Sequence, residues 1–166
     1  RIVWLLILMF SATITGTIIT KYEDAFAAIP LLVSFIPMLM DTGGNCGSQS
    51  ATLIIRGIAL GEIQFKDIFR VIFKEFCVSL IVSVVLALAN GVRILIMYKD
   101  VSLALVIGLS LIGTVIISKL IGCVLPLLAK KVRLDPAIMA SPLITTLVDT
   151  CSILIYFNIA TMLFNL

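Results

Sequence analysis

The sequence contains no histidine, and only 13% of its 166 residues are charged, against about 25% in soluble proteins. Apolar residues make up 61% of the chain, compared with roughly 45–50% in a soluble domain. The lack of histidine excludes zinc and haem sites with histidine ligands. The shortage of charge excludes a water-soluble fold, so we predict an all-α integral membrane protein.

The four cysteines are far apart in the sequence and form no Cys-x-x-Cys pair. They are Cys46, Cys77, Cys123 and Cys151. This spacing offers neither a zinc-binding motif nor a disulfide framework, and isolated cysteines in apolar helices usually serve as small packing residues. The basic residues form no face interleaved with aromatic residues, so nucleic acid is not an expected partner.

The apolar runs divide into five candidate transmembrane helices, each near or above the roughly 20 residues that a bilayer requires. We predict them at residues 2–20, 25–63, 68–89, 102–128 and 137–166. The second is too long for one upright span, and we interpret it as one tilted helix bent at Pro30 and Pro37. A re-entrant break at Gly43-Gly44 is the alternative.

Basic residues at the ends of these runs predict the orientation, because cytoplasmic loops carry an excess of Lys and Arg. With the N-terminus inside, nine of the 12 basic residues lie at cytoplasmic ends: Arg1, Arg56, Lys66, Arg70, Lys74, Lys119, Lys130, Lys131 and Arg133. Only Lys21, Arg93 and Lys99 lie at outer ends. We therefore predict a multi-pass protein of the cell (inner) membrane, with its N-terminus in and its C-terminus out.

Residues 41–50 form a polar segment inside the second apolar run. Lipid cannot satisfy these groups, so they are expected to face protein, water or an ion. The polar residues that recur at helical spacing, or beside them, are Asp41, Asn45, Ser48, Gln49 and Thr52. The small residues Gly43, Gly44 and Gly47 are assigned to helix packing, because they let another helix approach closely.

A second polar stripe runs along the last predicted helix. Asp149 is the only ionised residue between Pro136 and the C-terminus. A charged residue at the bilayer centre costs roughly 2.5–3.5 kcal/mol, so Asp149 is expected to face an ion or a partner rather than lipid. The stripe consists of Ser141, Thr145, Asp149, Ser152 and Tyr156, with Thr146 beside it. The alternative is an ion pair between Asp149 and Arg56, Lys119 or Arg93.

Oxygen ligands without histidine or paired thiols favour a hard cation, namely Mg²⁺, Ca²⁺ or Mn²⁺. Mg²⁺ keeps several of its waters and is usually held by one or two carboxylates. Five spans exclude an even inverted duplication within one chain, so a two-fold pathway needs two subunits. One Asp149 from each subunit would then supply two carboxylates on the symmetry axis.

Residues 37–52, PMLMDTGGNCGSQSAT, together with residues 141–149, SPLITTLVD, resemble the transmembrane domain of the MgtE magnesium channel family, which is related to the solute carrier 41 proteins. The resemblance covers the whole chain. It implies a homodimeric channel whose pore lies at the two-fold dimer interface and passes hydrated Mg²⁺, with Mn²⁺ or Ca²⁺ as alternative ions. It also implies that Asp149 is the central pore carboxylate and that Thr145 contributes its main-chain carbonyl.

The same resemblance implies functions for residues near the cytosolic mouth. Asp135 matches an acidic position that helps bind Mg²⁺ between the pore and the cytosolic domains, and Ser141 stands where family members can carry Asn. The second and fifth helices would line the pore through Ser141, Thr146, Asp41, Asn45, Ser48, Gln49 and Thr52. Residues 1–166 would form a single pore domain, and the cytosolic N-terminal and CBS regulatory domains of the full-length protein would lie outside this chain.

Three other functions are compatible with a polar pathway in a membrane protein. The first is a carrier that couples the divalent cation to Na⁺ or H⁺, which the same residues would serve. The second is an intramembrane hydrolase that uses Asp41 and Asp149, but it needs both acids close together with a water between them. The third is a structural membrane subunit. We predict a transport protein and no enzymatic activity, because no supporting nucleophile or base accompanies the acids.

Overall fold

The computed structural model describes residues 2–133 and 135–165, except for the side chains of residues 3, 4, 25, 26 and 137–141. Its α-helices are α1 (Ile2–Lys21), α2 (Glu23–Ala28), α3 (Ile36–Ala59), α4 (Ile68–Tyr98), α5 (Val101–Lys131) and α6 (Pro136–Phe164). Two short 3-10 helices, Pro30–Phe35 and Phe65–Asp67, precede α3 and α4. The described residues include no β-strand, as the all-α prediction requires.

Helix α5 is the centre of the bundle. It packs against α3, α4 and α6, while α3 also packs against α6, and α1 packs against α6. Within the described residues, three helices are long and apolar enough to cross a membrane, at 65–98, 101–131 and 142–164. Residues 5–21 form a shorter apolar helix. That α1 and α3 also cross the membrane stays a prediction, as does the orientation.

The second predicted helix is divided in the structure, so the prediction of one bent helix over 25–63 is wrong. Ile29 is not helical (φ −136°, ψ 82°) and separates α2 from the 3-10 helix that begins at Pro30. Proline disfavours the helical conformation in the residue before it and lacks an N–H to donate. Pro37 is tolerated because it lies in the first turn of α3. Helix α3 continues through Gly43-Gly44, so the alternative of a break there is also wrong.

Helix α3 ends at Ala59, before a tight turn. Gly61 has a positive φ of 74°, which glycine adopts at no steric cost. The carbonyl of Gly57 accepts hydrogen bonds from the N–H groups of Glu62 (2.9 Å) and Ile63 (3.1 Å). The chain therefore reverses within a few residues and enters α4 on the same side of the bundle.

Helix α4 extends nine residues beyond its predicted end at residue 89, to Tyr98. The sequence Asn90-Gly91 does not stop it, because Ile94 follows at helical spacing and is fully buried in the main apolar cluster. Lys99 then caps the helix in the left-handed conformation. Asp100 caps α5, since its Oδ1 accepts a hydrogen bond from the N–H of Leu103 (3.0 Å). The other predicted helices agree with the structure to within three residues at each end.

The main apolar cluster joins the 3-10 helix Pro30–Phe35 to α5 and α6. The hydroxyl of Tyr156 donates a hydrogen bond to the carbonyl of Leu32 (2.8 Å), and both residues are fully buried. The ring of Phe157 stacks on Tyr22 with centroids 4.7 Å apart. These contacts hold the 3-10 helix Pro30–Phe35 and the junction between α1 and α2 against the C-terminal half of α6.

Helix α3 approaches α5 and α6 at close range through two glycines. A Cβ atom on Gly47 would lie 2.7 Å from Cγ2 of Ile144 and 3.2 Å from the carbonyl oxygen of Ser118. A Cβ atom on Gly122 would collide with the main chain of Gly47. Because backbone cannot give way as a flexible side chain can, the crossing of α3 and α5 requires glycine at position 122.

We therefore predict that Gly122→Ala lowers the midpoint of thermal unfolding in detergent. The added methyl group forces α3 and α5 apart, and overpacking of this kind costs typically 1–3 kcal/mol. Gly91→Ala is the matched control, because no atom lies within 4 Å of a Cβ at that helical position. Equal midpoints for the two variants would show that the helices do not cross at Gly122.

Candidate ion-pathway surface

Helix α3 separates its polar residues onto two opposite sides. Asp41, Asn45, Gln49 and Thr52 are exposed and Ser48 is half-buried. Gly43, Gly47 and Ser50 are buried on the other side of the helix. The residues Asn45, Ser48, Gln49, Thr52 and Leu53 line a shallow open concavity. We call this exposed side, Asp41 to Thr52, the polar face of α3.

Local hydrogen bonds order the polar face. The side-chain amide of Asn45 donates to Oδ2 of Asp41 (3.1 Å). The hydroxyl of Thr52 donates to the carbonyl of Ser48 (2.8 Å), which is four residues earlier. The amide and the carboxylate thus stay one helical turn apart, and carboxylate and amide oxygens remain on the accessible side. Such oxygens suit a hard divalent cation or its bound water.

On α6, Thr145 and Asp149 lie on a flank that is half-buried. The neighbouring side of the helix carries Ile144, Val148 and Ser152, which are buried against α3 and α5. The methyl group of Thr145 would lie 3.9 Å from a Cβ atom on Gly44. The flank that carries Asp149 therefore meets the edge of α3 at Gly44, beside the polar face.

The stripe predicted along α6 is accessible over only part of its length. Ser152 and Tyr156, which continue the predicted stripe beyond Asp149, are buried, at 1% and 0% exposure. Ser152 donates to the carbonyl of Val148 (2.6 Å), and Tyr156 donates to Leu32. The 3-10 helix Pro30–Phe35, which the sequence did not predict, covers Tyr156. Ser152 packs against α3 instead, where a Cβ atom on Gly43 would lie 3.0 Å from its hydroxyl oxygen.

The ion pairs proposed for Asp149 do not form. Nζ of Lys119 lies 3.7 Å from Oε2 of Glu75 instead. The guanidinium of Arg93 lies over the ring of Phe35 at 5.9 Å, and Arg56 lines a separate cleft between α3 and α4. Within the described residues, no hydrogen bond or ion pair involves the side chain of Asp149.

Sequence reasoning missed a buried charge cluster that joins three helices. Ser50 of α3 donates a hydrogen bond to Oε2 of Glu75 on α4 (2.6 Å) and accepts one from Nζ of Lys119 on α5 (3.2 Å). The side chains of Lys119 and Glu75 are only 6% and 9% exposed. The available signal was a single acid and a single base, each inside an apolar run of neighbouring helices.

The remaining predicted site residues lie on α6 or directly before it. Thr150 donates to the carbonyl of Thr146 (3.0 Å), and its hydroxyl lies 3.2 Å from that of Thr15 on α1. Asp135 is exposed directly before α6, and the hydroxyl of Thr145 donates to the carbonyl of Pro142 (3.1 Å). Ser141 belongs to α6, but its side chain lies outside the described residues.

One chain supplies few ligands at any one place. Across residues 2–133 and 135–165, no three Asp, Glu or Cys side chains come together as a potential metal site. Asp149 is therefore a single carboxylate on a half-buried flank of α6, one helical turn after Thr145. This arrangement suits loose contact with a hydrated ion rather than full coordination of a bare one.

The fold and this surface define a multi-pass α-helical membrane protein with an acidic, hydroxyl- and amide-bearing strip along two adjacent helices. Residues 36–159 match the family model of MgtE, which is described as a divalent cation transporter. The chain belongs to the MgtE family.

Individual relatives agree with this assignment. The magnesium transporter MgtE of Bacillus subtilis (strain 168) is 40% identical over 161 residues, and that of Thermus thermophilus is 36% identical over 165 residues. The magnesium transporter MgtE of Enterococcus faecalis is 33% identical over 162 residues. Each match covers 97–98% of this chain but only 36% of the relative. The chain thus spans about a third of the length of these proteins.

We predict that the charge cluster stabilises the bundle only as a complete set. Lys119→Met leaves the buried carboxylate of Glu75 without its cation, which typically costs about 3–5 kcal/mol. The double variant Glu75→Gln with Lys119→Met removes both charges and keeps an amide near Ser50, so it should be more stable than Lys119→Met alone. Unfolding in detergent titrated with sodium dodecyl sulfate measures both. The single variant Glu75→Gln completes the comparison. If the losses of stability in Glu75→Gln and Lys119→Met simply add up to the loss in the double variant, the two side chains do not interact directly.

Proposed function

We propose that this chain is the pore-forming domain of a magnesium transporter. Two copies pack around a two-fold axis, and hydrated Mg²⁺ passes between them down its electrochemical gradient. Asp149 of each copy supplies a central carboxylate. The observation that carries the proposal is an acid on a half-buried flank of α6 that has no partner among the described residues. An intramembrane acid without a partner usually belongs to an ion or substrate pathway.

The polar face of α3 supports a pathway between subunits rather than through one bundle. Asp41, Asn45, Gln49 and Thr52 point away from α5, and the inward side of α3 is filled by glycine contacts. In the described structure, the inner side of α3 is thus closely packed or, at Ser50, hydrogen-bonded to Glu75 and Lys119, whereas its outer side is polar and accessible. A second copy that faces this side would enclose water between two polar surfaces and keep them from lipid.

The chemistry of the strip fits a hydrated cation. Mg²⁺ releases its waters reluctantly, so a pore for it is best lined by groups that hydrogen-bond those waters. In the proposed pore, the two Asp149 carboxylates supply the negative charge that attracts the cation. The hydration shell is contacted by polar side chains of both helices, namely Asn45, Ser48, Gln49, Thr52 and Thr146. The carbonyl of Thr145 contributes a further acceptor. Outer-shell contacts are weak enough to release the ion, as conduction requires.

The membrane arrangement is part of the proposal. Helices α1, α3, α4, α5 and α6 cross the membrane, with the N-terminus inside and the C-terminus outside. Asp135 then lies at the cytoplasmic mouth, where its carboxylate attracts the cation as it arrives or leaves. Ser141, which lies between Asp135 and Thr145 in the sequence, is proposed as a further pore residue. Mn²⁺ and Ca²⁺ are alternative ions, since carboxylate and water ligands suit them as well. The family description names a transporter, and we propose no catalytic function.

We predict that Asp149→Asn removes most Mg²⁺ uptake into proteoliposomes. The substitution keeps the size of the side chain but removes the negative charge that attracts the cation. Uptake is measured with a fluorescent Mg²⁺ indicator inside the vesicles, with no gradient of Na⁺ or pH. Asp24→Asn is the matched control, because Asp24 is an exposed acid on α2, outside the strip.

Each departure from this result has a definite meaning. Equal loss of uptake in both variants would indicate a general effect of charge and would contradict a central role for Asp149. Uptake by the unaltered chain only after Na⁺ or H⁺ is supplied would identify a coupled carrier. Unaltered uptake in Asp149→Asn would overturn the pore assignment.

We also predict that the polar face of α3 faces water in the assembled protein. In a chain whose four cysteines are replaced, Asn45→Cys and Gln49→Cys should react with a charged methanethiosulfonate reagent, since thiolates form only in contact with water. Ile81→Cys is the control, because Ile81 is 70% exposed on the apolar surface of α4. Mg²⁺ should slow the reaction at Asn45→Cys. Equal reactivity at all three positions would contradict a pore along α3.

A further inference from the structure

A cleft between the C-terminal end of α3 and the N-terminal end of α4 adjoins the polar face of α3, since Leu53 lines both the cleft and the concavity on that face. It has a volume of about 520 Å³, which is within the range of small-molecule sites, roughly 300–1,000 Å³. Three basic residues line it, Arg56, Arg70 and Lys74, and all three side chains are exposed. None of the three has a carboxylate within ion-pair distance among the described residues.

The acids in the same cleft are mostly engaged elsewhere. Oδ2 of Asp67 accepts a hydrogen bond from the N–H of Gln64 (2.9 Å) at the start of the 3-10 helix. Glu75 is buried against Ser50 and Lys119. Glu62 is the one acid of the cleft without such a contact in the described part of the chain. The cleft therefore presents more available positive than negative charge.

The apolar surroundings indicate what kind of anion fits. Leu53 and Leu60 line the cleft and are 58% and 61% exposed. Phe69 and Phe73 of α4, each one residue before a basic residue, are 83% and 69% exposed. Long basic side chains beside exposed apolar ones at a helix end suit the boundary between lipid tails and headgroups, because their stems lie along apolar surface while the charge stays at the headgroup level. A free anion would gain nothing from these exposed apolar walls.

We propose that this cleft binds the phosphate headgroup of an anionic phospholipid, with Arg70 and Lys74 on α4 and Arg56 on α3 as its cationic ligands. Arg70 and Lys74 are four residues apart and hence on one side of α4. Arg56 faces them from the last turn of α3. A basic pocket between transmembrane helices is a recognised form of anionic-lipid site. The headgroup would link the ends of α3 and α4 at the membrane surface.

The test is binding of short-chain phosphatidylglycerol to the purified chain in a neutral detergent, measured by native mass spectrometry. Phosphatidylcholine with the same acyl chains is the zwitterionic comparison, and inorganic phosphate serves as competitor. We expect preferential binding of phosphatidylglycerol, weakened at least about tenfold in Arg70→Gln with Lys74→Gln. Lys21→Gln with Lys99→Gln is the matched control, because it removes two exposed basic residues outside the cleft. Arg70→Lys with Lys74→Arg keeps both charges and should retain binding.

Several results would overturn the proposal. The first is equal binding of the two lipids, and the second is an equal loss of phosphatidylglycerol binding in both double Gln variants. The third is full displacement of the lipid by inorganic phosphate, which would make the cleft a site for free anions. Loss of binding with a lowered unfolding midpoint, also seen in the charge-conserving variant, would indicate a structural effect instead. Asp149→Asn should bind phosphatidylglycerol normally, so this proposal and the proposed pore fail independently.

Discussion

The rest of the bundle depends on how closely α3 approaches α5. Gly47 and Gly122 bring the two main chains into contact, and this depth lets α3 reach Ile144 and Val148 on α6 as well. With larger residues at the crossing, α3 would lie farther out, and the edge of α3 at Gly44 would no longer meet Thr145. The position of Asp149 relative to the polar face of α3 is therefore set by the absence of two side chains on the opposite side of α3.

Helix α3 carries two sets of polar side chains that have different roles. Ser50, on its inner side, hydrogen-bonds to both Glu75 and Lys119, so these three polar side chains find their partners within the bundle. Asp41, Asn45 and Gln49, on its outer side, hydrogen-bond at most with one another in the described structure. The inner set stabilises the relative positions of three helices, while the outer set keeps acceptors available for something outside the chain. The two sets are interleaved in sequence, and only the helical period separates them.

Much of the architecture is predictable from hydrophobicity, because long apolar runs must become helices in lipid. The ends of the helices and the break before α3 were harder to predict. Pro30 stops a helix rather than bending it, because Ile29 before it is not helical. Asn90-Gly91 does not stop α4, because burial of Ile94 outweighs the local preference for a turn. The polar stripes were visible from spacing alone, yet spacing does not reveal what covers Tyr156. Lys119 was the clearest failure, since its partner lies on another helix and pairing between helices depends on tertiary packing.

The groove that receives α3 is formed by residues of α5 and α6, all of which follow α3 in the chain. During synthesis, α3 is complete before Ser118, Gly122, Ile144 and Val148 exist. Helices α4 and α5, joined by a connection of only two residues, can pair as soon as both have emerged. Helix α3, with its carboxylate and amides, can therefore take its final position only after the last two helices have been made. The order of assembly in the membrane therefore differs from the order of the helices in the chain.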